Sequence, residues 1–72
     1  MKKFSLIIAN RHATSISLED DFYQALVQIA KEKNLSIPKL VTLIDKNKTI
    51  PNLSSAIRVY ILKHLQSKLE QL

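Results

Sequence analysis

From His12 to Leu18 the chain alternates: Thr14, Ile16 and Leu18 take one side, and Ala13, Ser15 and Ser17 take the other. Period-two alternation predicts a strand with one buried and one polar face over residues 12–18. The spacing then changes. Phe22, Leu26, Ile29 and Ala30 fall on one side of a helix predicted over 20–33. Leu40, Val41, Leu43 and Ile44 give a second helix, over 37–46, its buried side. A third, over 53–70, carries Leu53, Ile57, Tyr60, Ile61, Leu65 and Leu69, broadened by Ala56, Val59 and Leu62. That breadth implies contact with more than one neighbour.

Punctuation between these runs supports the boundaries. Glu19 or Ser17 can cap the first helix, and Asn34 suits the left-handed position just past its end, which glycine usually fills. Ser36 is an N-cap with Pro38 in the following first turn, where a missing N–H is tolerated. Residues 45–51 are polar and then proline-punctuated, a loop, and Asn52 caps the third helix.

Upstream, residues 4–9 are β-prone and Asn10-Arg11 can form a tight turn, so 4–9 and 12–18 read as a hairpin, with a frayed N-terminal arm as the alternative. A two-residue turn would set Ile8 opposite Ala13, Leu6 opposite Ser15 and Phe4 opposite Ser17. Opposed residues share a sheet face. Phe4, Leu6 and Ile8 would then widen the outward face with apolar side chains, which suits a protein partner or cover by the third helix. Taken singly, the half-apolar strand at 12–18 beside short helices has no partner strand, and a twin copy can supply one by pairing the same strand about a two-fold axis.

Seventy-two residues predict a single domain, 1–72, and a chain so short is often helped by oligomerisation. Cysteine is absent, which excludes disulfides and thiolate metal sites. His12 and His64 are not spaced as ligands, so no metal or other cofactor is expected. Eleven Lys and Arg against six Asp and Glu give a net charge of +5, which suggests an anionic partner such as nucleic acid. Lys2, Lys3 and Arg11 precede the first acid, while Glu19, Asp20 and Asp21 open the first helix, where its dipole favours them. No glycine-rich phosphate loop and no nucleophile–base pair point to an enzyme. The run at 4–9 is too short for a secretory signal and none reaches transmembrane length, so the expected location is cytoplasmic, with no membrane contact.

The order strand, helix, Asn34-Leu35-Ser36, helix resembles the ribbon-helix-helix superfamily, which includes the Arc and methionine repressors. Thr14-Ser15-Ile16-Ser17-Leu18-Glu19 together with Asn52-Leu53-Ser54-Ser55-Ala56-Ile57-Arg58 is similar to a bacterial subgroup with an extra C-terminal helix. The resemblance implies a mainly α fold with a short β ribbon: an intertwined homodimer plus a third helix. It implies DNA binding by a small transcriptional regulator whose ribbon lies in the major groove. The base-reading positions it assigns are Ala13, Ser15 and Ser17. Lys2, Lys3, Arg11 and His12 would be flanking basic contacts. The start of the second helix, at Ser36, Ile37 and Lys39, would hold a DNA phosphate.

The outward strand face departs from readers of this type, which commonly carry Arg, Lys, Gln or Asn. Ala13 offers no hydrogen bond, and serine discriminates bases poorly. Binding on this reading is mostly electrostatic. The same face motivates an alternative: a dimeric protein-interaction module that has lost DNA reading and docks a partner through the third helix or the N-terminal strand. An antitoxin-type regulator is a third reading, ranked lower because its usual disordered tail is replaced here by a predicted helix. Single residues carry bland alternatives as well. Ser36 can be a plain cap, the lysines ordinary solvated charges, and Arg58 a partner of Asp45 or of the second copy.

Overall fold

The computed structural model describes residues 1–8 and 12–72. Its elements are β1 (Lys2–Ile8), β2 (His12–Leu18), α1 (Asp20–Glu32), α2 (Ile37–Asn47) and α3 (Leu53–Glu70). The two strands form an antiparallel two-stranded ribbon, and the three helices pack behind it. The ribbon partner of β2 in the structure is therefore β1 of its own chain.

The ribbon's register corrects the sequence expectation by one residue. Ile8 pairs with His12, Leu6 with Thr14, Phe4 with Ile16 and Lys2 with Leu18. The Asn10-Arg11 turn lies outside the described residues, but the flanking pairs show that Ile8 does not sit opposite Ala13. Because side chains alternate, one residue of slip moves a whole strand face. Phe4, Leu6 and Ile8 consequently join Thr14, Ile16 and Leu18 on the inward face. Ile8, Ile16 and Leu18 are buried, and Phe4 and Leu6 pack half-buried against the core. The outward apolar face does not form, and the proposed docking surface on the N-terminal strand goes with it. Burial explains the choice, since this register puts both strands' apolar sets on the side the helices cover.

Local chemistry sets the helix ends. Asn34 is in the left-handed region at φ 57°. Its N–H donates to the Lys31 carbonyl at 3.1 Å and that of Leu35 to the Ala30 carbonyl at 2.9 Å, a Schellman stop that turns Leu35 toward the core. The Ser36 Oγ accepts from the Lys39 N–H at 3.3 Å, and the Asn52 side chain accepts from the Ser55 N–H at 2.9 Å. At α1 the expected cap bond is missing. Glu19 occupies the cap position and its carbonyl accepts from the Tyr23 N–H at 2.9 Å, but its side chain makes no cap bond and is engaged by Arg58 instead.

The core lies between the ribbon's inward face and the helices. Leu18, Leu26, Val41 and Ile57 are fully buried at its centre, each contributing about 1.5–3 kcal/mol by removal from water. Phe4 meets Tyr23 edge-to-face at 5.1 Å. Two ion-pair groups tie α3 to α1: Arg58 to Glu19 near both N-termini, and His64 and Lys68 to Glu32 farther along. The two helices therefore run side by side in the same direction.

Parts of the expected stripes are not covered. Leu43 on α2 is 47% exposed, and Leu62, Leu65 and Leu69 on α3 are 54%, 46% and 67% exposed. His64 already meets Glu32, the last residue of α1, so the part of α3 that carries Leu65 and Leu69 runs past the end of α1. No helix is long and apolar enough to cross a membrane among the described residues.

Candidate nucleic-acid interface

The inward face of the ribbon is taken up by the core, which leaves the other face for function. Its residues follow from the register: Lys3 opposite Ser17, Ser5 opposite Ser15 and Ile7 opposite Ala13. All are exposed except Ser17, which is half-buried. Ser5 and Ser15 bring their Oγ atoms to 3.4 Å across the strands. The face is thus shallow, with one cation at one end and one aliphatic side chain, Ile7, at the other. Ala13, Ser15 and Ser17 share it, as the alternation predicts. Ser5 and Ile7 were missed. Residues 4–8 are apolar except at Ser5 and carry little alternation, so their facing depended on the register, which the assumed turn length set one residue off.

The flanking basic residues divide. Lys3 lies on the outward face. Lys2 lies on the other, with its Nζ 5.2 Å from the centre of the Tyr23 ring, where the ring's π face attracts a cation. His12 pairs with Ile8 at the opposite end of the ribbon and is exposed. Arg11 lies outside the described residues.

The start of α2 offers a smaller donor set than a helix N-terminus usually has. Pro38 has no N–H, and the Lys39 N–H is held by Ser36. Ile37 supplies the remaining free first-turn backbone donor, because the Leu40 N–H already donates to the Ser36 carbonyl at 3.0 Å. The Ser36 hydroxyl hydrogen and the exposed Lys39 side chain stand beside it. An anion can use these groups, with the positive end of the helix dipole behind them.

Several of the other charged groups are engaged within the fold. Arg58 Nε donates to Glu19 Oε1 at 2.8 Å, and its guanidinium lies 6.0 Å from the Phe22 ring centre. Arg58 does not pair with Asp45, which takes Lys48 at 2.6 Å instead. The Arg58 bond holds the Glu19 carboxyl below the usual carboxylate range, helped by a backbone hydrogen bond of Glu19 itself. Glu32 is lowered too, first by Lys68 and then by His64, whose Nε2 lies 3.2 Å from Glu32 Oε2. The His64 ring also stacks on Tyr60. Asp20 and Asp21 sit exposed in the first turn of α1. Among the described residues no group of three His, Asp or Glu side chains is placed to hold a metal ion.

No curated protein and no solved structure matches the chain significantly. The model of one family, described as a ribbon-helix-helix domain, matches residues 1–65. That span takes in β1 as well as β2, α1, α2 and most of α3, and on this match the chain belongs to the ribbon-helix-helix domain family.

Proposed function

We propose that the protein is a small DNA-binding regulator that acts in the cytoplasm as a homodimer and lays its ribbon in the major groove. The family's fold is of the kind that DNA-binding regulators use. The observation that carries the reading is the outward face of the ribbon: open, short in its side chains and flanked by Lys3, on a chain of net charge +5. The free edge of β2 is the place for a second copy to pair, since β2 has a neighbouring strand on one side only among the described residues. Pairing there would give a four-stranded sheet ordered β1-β2-β2-β1. At about 4.8 Å between strands, the outer strand axes would lie roughly 14 Å apart. The major groove is about 12 Å wide. Only the central pair then enters deeply, carrying Ala13, Ser15 and Ser17, while β1 rides over the groove edge and offers Lys3 to phosphate. Ser36, Ile37 and Lys39 hold a further phosphate at the start of α2. Little in this set reads bases, so affinity is mainly electrostatic and falls steeply with salt.

The test is a gel shift with mixed-sequence duplexes at low salt, joined to light scattering. Retarded duplex, loss of the shift as salt rises, and a dimer in solution are expected. Ser15→Glu, which sets a carboxylate in the centre of the face, should weaken binding about tenfold or more through repulsion of phosphate. A free duplex at every protein concentration would end this reading.

One observation favours a second reading, a protein-interaction module. Leu62, Leu65 and Leu69, followed by Leu72, repeat at the three–four spacing of a helix-pairing seam and are exposed. A partner that co-purifies and is released by Leu65→Lys would support it.

A further inference from the structure

Between α2 and α3 lies a groove that the DNA reading does not use. It encloses about 360 Å³, within the roughly 300–1,000 Å³ of small-ligand sites. Its apolar walls are Leu40, Leu43 and Ile44 from α2, Ala56 and Val59 from α3, and Ile50 from the connecting loop. No carboxylate lines it, and its charged side chains are Lys33, Lys48 and Lys63. Lys48 is neutralised by Asp45. Lys33 and Lys63 make no ion pair among the described residues. Both line the groove, Lys33 from just past the end of α1 and Lys63 from α3. The result is an apolar trough whose lining includes two lysines that make no ion pair among the described residues.

We propose that this groove binds a small amphipathic anion: a free monocarboxylic acid with an aliphatic or aryl body. The carboxylate sits between Lys33 and Lys63, whose ammonium groups supply charge-assisted hydrogen bonds. The body lies along Leu40, Leu43 and Val59 and takes the exposed part of Leu43 out of water. A second copy of the chain fits poorly here. Groove against groove would oppose lysines, and a chain of net charge +5 brings more cations than acids. This inference is independent of DNA binding.

Decanoate, titrated into the full chain below its micellar concentration and followed by amide NMR and calorimetry, tests it. Decanol and decyltrimethylammonium serve as controls. Decanoate should shift amides of α2 and α3 around the groove and bind at least about tenfold more tightly than the cation. Lys33→Gln combined with Lys63→Gln should remove that preference and leave decanol binding unchanged. Val59→Trp should fill the trough and abolish binding. Leu43→Asp, at a half-exposed position that leaves the core intact, should do the same through charge should the tryptophan variant fail to fold. Equal binding of the cation would overturn the proposal. So would shifts confined to the Leu62, Leu65 and Leu69 side, no shift at millimolar decanoate, or groove amides that respond only to protein concentration, which would mark the groove as an interface between copies.

Discussion

The two faces of the ribbon are built from the same two strands and do opposite things. The inward face carries Phe4, Leu6, Ile8, Thr14, Ile16 and Leu18 and is closed by three helices. The outward face carries Lys3, Ser5, Ile7, Ala13, Ser15 and Ser17 and meets solvent. One face holds the molecule together, so it is not free to recognise anything. The other contributes little to stability and can be shaped by what it binds. The difference teaches that in a chain of this size a single strand must serve both purposes, and that the pleat separates them. Register therefore decides function as much as fold.

The largest effect that can break this comparison is on the inward face. Ile16 is 2% exposed, and Ile16→Ala should cost about 2–5 kcal/mol through reduced burial and a residual cavity. That is a large part of the stability of a domain this small. Urea denaturation followed by circular dichroism measures it. Ser15→Glu, one residue away on the opposite face, should stay within about 0.5 kcal/mol of the parent in the same experiment. Equal destabilisation of the two variants would mean that the outward face is covered in solution.

The adjacent pair Lys2 and Lys3 sharpens the comparison with a smaller effect. Lys3→Gln removes two ammonium groups per dimer from the phosphate backbone, so the slope of log affinity against log salt should become shallower by about two. Lys2→Gln, whose ammonium faces Tyr23, should leave that slope nearly unchanged. Filter binding over a salt series reads both. Matching slopes for the two variants would remove the assignment of Lys3 to the groove edge.

The smallest effect concerns the helical layer. Glu19 and Glu32 both sit below the ordinary carboxylate value of 4.5 in the folded chain. A depressed folded pKa means that their stabilisation is complete above pH 4.5 and is lost as pH falls through the lower folded values. Both groups are exposed, so the change is slight. Melting temperature against pH should show a shallow acid limb that Glu32→Gln flattens. The ribbon's outward face has no part in this, and Lys3→Gln should leave the limb as it is.

Several features were legible from residue type and spacing alone. Asn34 before Leu35 and Ser36 marks a left-handed stop followed by a cap, because few other residues tolerate φ 57°. The alternation of residues 12–18 places Ala13, Ser15 and Ser17 on one face wherever the strand ends up, since the strand's own period is local. The caps at Ser36 and Asn52 are local for the same reason. These decisions need only a few neighbouring residues, and the sequence by itself determined them.

Tertiary structure decided what depends on elements far apart in the chain. The direction faced by Phe4, Leu6 and Ile8 turned on one residue of register, which the burial of both strands' apolar sets selected. Arg58 found Glu19, thirty-nine positions away, because α1 and α3 lie side by side. The same packing covers Ile57 and Ile61 yet leaves Leu62, Leu65 and Leu69 open, although all five read alike as apolar positions on a helix. It also brings Lys33 and Lys63 into the lining of one apolar groove. Periodicity states which residues prefer to leave water. Only the assembled elements determine which of them there is enough neighbouring surface to cover.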